Sequence, residues 1–175
     1  MTDGLNIAEW VHMLRWPDNR EAYRALQSLQ EASDLDNAVY AYIDTFIEMM
    51  RDSNSYIRTR GLTLIACNAK WDEEGKIDGI IDEYLGHATD NKPITARQCI
   101  KSLPKLAEAK PHLMPYIASS LRQADTSQYA DSMKPLIQND IRDALLALDS
   151  MQCGSINKSE ANVHPQINEK ESIKW

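Results

Sequence analysis

Only one Phe and six Gly occur among 175 residues, and the cysteines number three. So little glycine argues against a many-turned β-sandwich and against a Gly-rich phosphate-binding fold, both of which need unusual backbone geometry at several positions. Cys67, Cys99 and Cys153 are odd in number and widely spaced. That excludes a paired disulfide framework and a CxxC metal hook, and reduced thiols are expected. No apolar run approaches the roughly 18 residues that a membrane-spanning helix needs. The opening residues Met1-Thr2-Asp3-Gly4-Leu5 lack the basic-then-apolar order of a signal peptide. A cytoplasmic protein with no membrane partner is therefore expected.

Positive charge is also scarce: 19 Lys and Arg face 26 Asp and Glu, a formal net charge of −7. Residues 1–50 carry three basic and nine acidic side chains, whereas 51–149 carry 13 and 14. The amino-terminal third therefore repels nucleic acid. With 43% hydrophobic residues the chain can bury one core without disulfides or metals. The expected organisation is a helical domain over 1–149 followed by a polar, flexible tail over 150–175, whose apolar residues, such as Ile156, Ile167 and Trp175, are scattered.

What the chain does contain is a repeat with a period near 38. Apolar residues four apart mark one helical stripe per unit: Ile7 and Val11, then Val39, Ile43 and Ile47, then Ile77, Ile81 and Leu85, then Leu113, Ile117 and Leu121. A second set lies between them, with Tyr23, Leu26 and Leu29 mapping onto Gly61, Leu64 and Cys67, and onto Ile100, Leu103 and Leu106. Breakers fall between the sets at Pro17-Asp18-Asn19, Asp52-Ser53-Asn54-Ser55, Asp90-Asn91-Lys92-Pro93 and Asp125-Thr126-Ser127, where Asn, Asp and Ser can cap the helix that follows. The pattern predicts four helix pairs, 6–15 with 19–32, 38–51 with 54–70, 76–88 with 94–109, and 112–123 with 132–148. Pro104 should kink or divide its helix. No helix of a pair can hide its apolar stripe alone, so the expected fold is all-α, an α-solenoid of about four antiparallel pairs.

The turn Asp52-Ser53-Asn54-Ser55-Tyr56-Ile57-Arg58-Thr59-Arg60-Gly61 resembles the HEAT repeat pattern: an Asp in the turn, an apolar residue and Arg opening the second helix, and a small residue three further on. Asp90 with Ala96-Arg97 and Ile100 is a looser copy, Asp18 and Arg20 a third, and Asp131 with Lys134 a fourth. The resemblance covers residues 6–148. It implies a right-handed superhelix whose second helices line a concave surface used for protein contacts, and it does not imply catalysis. Asn54 to Trp71 and Lys92 to Pro104 also look like small bacterial HEAT-like proteins, some loosely named after an iron–sulfur assembly scaffold. That scaffold is a β-helix, which the helical periodicity here contradicts.

Arg20, Arg58 and Arg97 recur at the repeat spacing, either as a basic ladder or each paired with a turn Asp such as Asp52 or Asp90, and the pairing is expected. The candidate binding surface is the face of the second helices away from the stripe. Thr59, Thr63, Ala66 and Lys70 point outward there, with Gln98, Ser102, Lys105 and Ala109 as their equivalents. With Arg60, Trp71, Lys101 and Lys134 this makes a weakly basic, hydrogen-bonding surface suited to an acidic peptide or a phosphate backbone, although a solvated helix face would hold the same residues. Trp10, Trp16, Tyr23, Tyr40, Tyr42 and Phe46 are expected to pack the terminal repeats, with some as possible anchors for a partner. His12, His87, His112 and His164 form no recognised catalytic-metal arrangement, and Cys67 and Cys99 fit small buried hydrophobes. Asp72-Glu73-Glu74 reads as helix initiation. No cofactor or metal is expected. The leading function is a non-enzymatic adaptor that holds a peptide or protein, and the alternative is nucleic-acid binding in the manner of HEAT-like DNA glycosylases.

Overall fold

The computed structural model describes residues 6–160, and every regular element among them is helical. Helix α1 (Ile7–Met13) starts at Asn6, whose side chain and that of Glu9 each accept the other's backbone N–H, a capping box. Asp18 caps α2 (Asn19–Leu35) by accepting the amides of Arg20 and Glu21, and Asn54 caps α4 (Ser55–Asn68) by accepting that of Tyr56. The Asx residues thus satisfy amide groups that a helix start leaves unpaired. Helix α7 (Pro93–Ala109) begins on a proline, which has no amide to leave unsatisfied.

The first helices of the predicted pairs are less regular than their periodicity suggests. A 3-10 turn, Val39–Tyr42, precedes α3 (Ile43–Met50). The helix expected over 76–88 is divided into α5 (Lys76–Gly79), α6 (Ile81–Gly86) and a 3-10 turn at His87–Thr89. The break falls at Ile80, where φ is −115°, beside Gly79, a poor helix former. Asp72 starts α5: its carboxylate accepts the amides of Lys76 and Ile77, both at 3.0 Å. Gly75, immediately before α5, takes the left-handed φ of 71° that glycine adopts at low cost. The fourth unit comprises α8 (Met114–Gln123) and α9 (Lys134–Glu160).

Two expectations need correction. Pro104 does not divide α7, which runs unbroken to Ala109. Ile100, Leu103, Leu106 and Ala107 are fully buried on both sides of the proline, so packing holds the helix across the missing hydrogen bond. The last helix does not stop near Leu148 but continues to Glu160, with Leu148 buried and Met151 packed against the core. The remainder of the expected flexible tail, 161–175, lies outside the described residues.

At the centre of the molecule, α4 packs against α3 and also against α2 and α7, and α7 packs against α9. Leu62, Leu64 and Ile65 are fully buried in consequence. The approach of α3 to α4 is set by Gly61, because a Cβ there would lie 2.7 Å from both the Met50 nitrogen and the Phe46 carbonyl oxygen. Neighbouring units are also joined by charge. Arg58 donates from Nε and a terminal nitrogen to both oxygens of Asp90, at 3.0 and 2.7 Å, and also holds the backbone carbonyls of Asp52 and Ser53. Burial would raise the Asp90 carboxyl, but Arg58, the Lys92 amide and His87 together hold it below its ordinary value. Arg58 therefore forms the expected pair. Arg97 instead reaches Asp140 on α9, and Arg20 pairs with no carboxylate among the described residues, because Asp52 is taken by Arg15 at 2.7 Å.

Candidate binding groove on the second helices

Side by side, α2, α4 and α7 share one face, and a groove of about 490 Å³ runs across it near their first turns. Helix α2 contributes Asn19, Tyr23, Leu26 and Gln30; α4 contributes Tyr56, Thr59, Arg60 and Thr63; α7 contributes Ile94 and Gln98. Tyr23 and Tyr56 are each 56% exposed and Ile94 67%. Large apolar side chains left this open on three neighbouring helices around one hollow form a patch of the kind that marks interaction sites.

The polar lining is mostly committed to the fold. Arg60 is buried and donates to the Leu14 carbonyl at 2.7 Å and to Asn19 Oδ1 at 2.8 Å, clamping α4 to the α1–α2 turn. Burial pushes its guanidinium below the ordinary value. The hydroxyls of Thr63 and Ser102 each donate to the carbonyl four residues back, at 2.8 Å, and both residues are buried. Thr63 and Ser102 were expected to project outward and are instead buried, because the inter-helix space covers more of α4 and α7 than a single apolar stripe would suggest. Ala66 is buried too. Thr59 bonds both the Ser55 carbonyl and the Thr95 hydroxyl, tying α4 to α7 at 3.0 Å.

Towards the far ends of the same helices lies a second hollow of about 370 Å³, lined by Asp34, Ala66, Cys67, Lys70, Lys105 and Glu108. Gln30, from the first groove, sits 3.8 Å from Cys67 Sγ. Asp34, in the last turn of α2, crosses over α4. Its carboxylate lies 3.3 Å from Lys105 Nζ on α7 and 3.6 Å from Lys70 Nζ. The hydrogen bond from Lys105 draws the Asp34 carboxyl below its usual range. Trp71 gives its indole N–H to the Ser33 carbonyl at 2.8 Å, and Lys70 lies over its ring, 5.1 Å from the centroid.

The expected site residues accordingly divide. Thr59, Arg60, Thr63 and Gln98 meet in the first groove, with Ser102 beside Gln98, and Lys70 and Lys105 meet in the second with Trp71 alongside. Lys101 is directed elsewhere, into a hollow between α7 and α9, 3.9 Å from Asp140. Lys134 stands apart, 3.9 Å from Asp131. Tyr23, counted in the apolar stripe, is exposed, and the sequence pattern assigns no site role to Tyr56 and Ile94, in the first turns of α4 and α7. Of the other aromatics, Phe46 is fully buried, Trp10, Tyr40 and Tyr42 pack against the core, and Trp16 is 42% exposed.

Cys99 is wholly buried, and that burial pushes its thiol far above the ordinary value. Among the described residues no group of three His, Cys, Asp or Glu is placed to hold a metal ion, and no helix is long and apolar enough to cross a membrane. The chain matches no family model, and no curated protein or solved structure matches it significantly.

Proposed function

We propose that the chain is a non-enzymatic adaptor: a short HEAT-like solenoid of four antiparallel helix pairs in a right-handed superhelix, with α2, α4 and α7 presenting a concave face to a peptide or protein. The packing of α2 on α4, α4 on α7 and α7 on α9 supports the solenoid reading, as does the Arg58–Asp90 pair between successive turns. The observation that carries the functional reading is the convergence of exposed Tyr23, Tyr56 and Ile94 on one groove. Aromatic anchors give large contact area for little lost rotamer freedom, and a rim of Gln30, Gln98 and Thr59 supplies orientation.

Duplex nucleic acid suits this face less well. Its positive groups are few: Arg60 is buried and bound within the fold, which leaves Lys70 and Lys105 as the exposed cations along the two hollows, so few counterions would be released from a phosphate backbone. Affinity purification of the tagged chain from its own cells, with and without nuclease, tests the proposal. Replacing Tyr23, Tyr56 and Ile94 together by Ala should abolish protein capture in both arms. Replacing Leu136 and Leu146, both exposed on α9, should preserve it. Capture that survives the first replacement, or that disappears with nuclease, contradicts the reading.

A further inference from the structure

The second hollow is already occupied by a carboxylate of the chain itself. Lys70 comes from the 3-10 turn Ala69–Trp71 that follows α4 and Lys105 from α7, and their ammonium groups converge on one oxygen of Asp34, which reaches them from α2. A carboxylate bridging two lysines above an otherwise uncharged floor of Ala66 and Cys67 has the arrangement of a bound acidic ligand. We propose that this end of the groove recognises a carboxylate side chain of a docked acidic peptide, and that Asp34 is its built-in competitor, which the peptide displaces. The inference rests on the adaptor reading and adds the charge of the partner.

The geometry favours exchange. Charge-assisted N–H···O bonds are ordinarily about 2.7 to 2.9 Å long, as the Arg58–Asp90 pair is at 2.7 Å. The Asp34 contacts are longer, at 3.3 and 3.6 Å. The Asp34 side chain is 59% exposed, and those of Lys70 and Lys105 are 38% and 45% exposed, so this is a solvent-facing pair of the weak class. Asp34 can swing into water without leaving a buried charge behind. Departure of the side chain leaves Lys70 on the Asp34 backbone carbonyl at 3.2 Å, and Glu108 as the remaining carboxylate lining the hollow for either ammonium group. The two hollows lie along the same helices, with Gln30 and Cys67 at their junction. A peptide running along them would set apolar side chains among Tyr23, Tyr56 and Ile94 and an acidic one at the lysines.

The test is fluorescence anisotropy with a short labelled peptide alternating Glu with Leu and Tyr, its Gln-for-Glu counterpart, and a labelled DNA duplex. Wild-type protein should bind the Glu peptide more tightly than the Gln peptide, and the difference should shrink with added salt. Asp34→Asn should raise affinity for the Glu peptide by about two- to five-fold and leave the Gln peptide unchanged. Lys70→Gln with Lys105→Gln should erase the preference while circular dichroism stays that of the wild type. Equal binding of both peptides overturns this inference and leaves the adaptor reading standing, whereas binding of neither overturns both. An Asp34→Asn variant that is less stable but no tighter makes Asp34 a structural strap and overturns the competitor role. Preference for the duplex overturns the acidic-peptide assignment.

Discussion

Arg58 joins two units through five hydrogen bonds, to Asp90 twice, Asn91, and the carbonyls of Asp52 and Ser53. Its side chain is 11% exposed and that of Asp90 5%, so truncating the acid strands a buried cation. Asp90→Ala should cost about 3 kcal/mol in denaturant unfolding, and a loss below about 0.5 kcal/mol, the scale of surface changes, would remove Arg58 as the stitch between units. Asp90 and Asp72 share an electrostatic situation. Burial would raise each carboxyl, yet Arg58 and neighbouring donors hold Asp90 down, and Lys110, Tyr40 and the Ile77 amide hold Asp72 down. A carboxyl whose folded-state value lies below its unfolded one contributes stability that is complete above the ordinary carboxylate range and is lost as pH falls through the folded value. Wild-type stability should therefore hold near neutrality and decline below about pH 4. Asp90→Asn should be less stable near neutrality and lose less between there and acid pH.

At the scale of the element, α4 shows why some of the architecture was legible in the sequence and some of the site was not. Its repeat residues Gly61, Leu64 and Cys67 predicted a helix packed against neighbours, and Gly61, the small residue of the HEAT-like pattern, sits where α3 and α4 touch. Gly61→Ala should cost about 1 to 3 kcal/mol, because the obstructing atoms are backbone and cannot rotate aside. Leu64→Ala, at a fully buried position, should cost about 2 to 5 kcal/mol through the cavity it leaves. Urea titrations measure both, and near-neutral values would show the register of α4 to be wrong. The same apolar reading misled at Tyr23, because periodicity places a residue on a face but does not say whether another helix covers that face. Tyr56 and Ile94 carry no periodic signal; the first turn of a helix projects past the packed stripe, and only the neighbouring helices reveal an open hollow there. The extension of α9 beyond 148 was illegible for a related reason, since apart from Met151 residues 149–154 are exposed and carry no apolar period.

For the whole molecule, repeat spacing located nearly every helix, because each stripe needs a neighbour, and capping residues marked the starts of α2 and α4, whose free amides need local hydrogen bonds. Charge totals were less informative about partners. The net −7 weighs against nucleic acid, but the total does not show that Arg60 is spent within the fold while Lys70 and Lys105 stay partly exposed beside Asp34. The central claim is that the shared face of α2, α4 and α7 is where a protein partner sits. Photocrosslinking in the protein's own cells tests it most directly, with benzoylphenylalanine placed at Tyr56, at Ile94, or at exposed Leu146 on α9 as a control. The account predicts one discrete protein adduct shared by the first two positions and missing from the third. Adducts from position 146 alone, or none from 56 and 94, would contradict it.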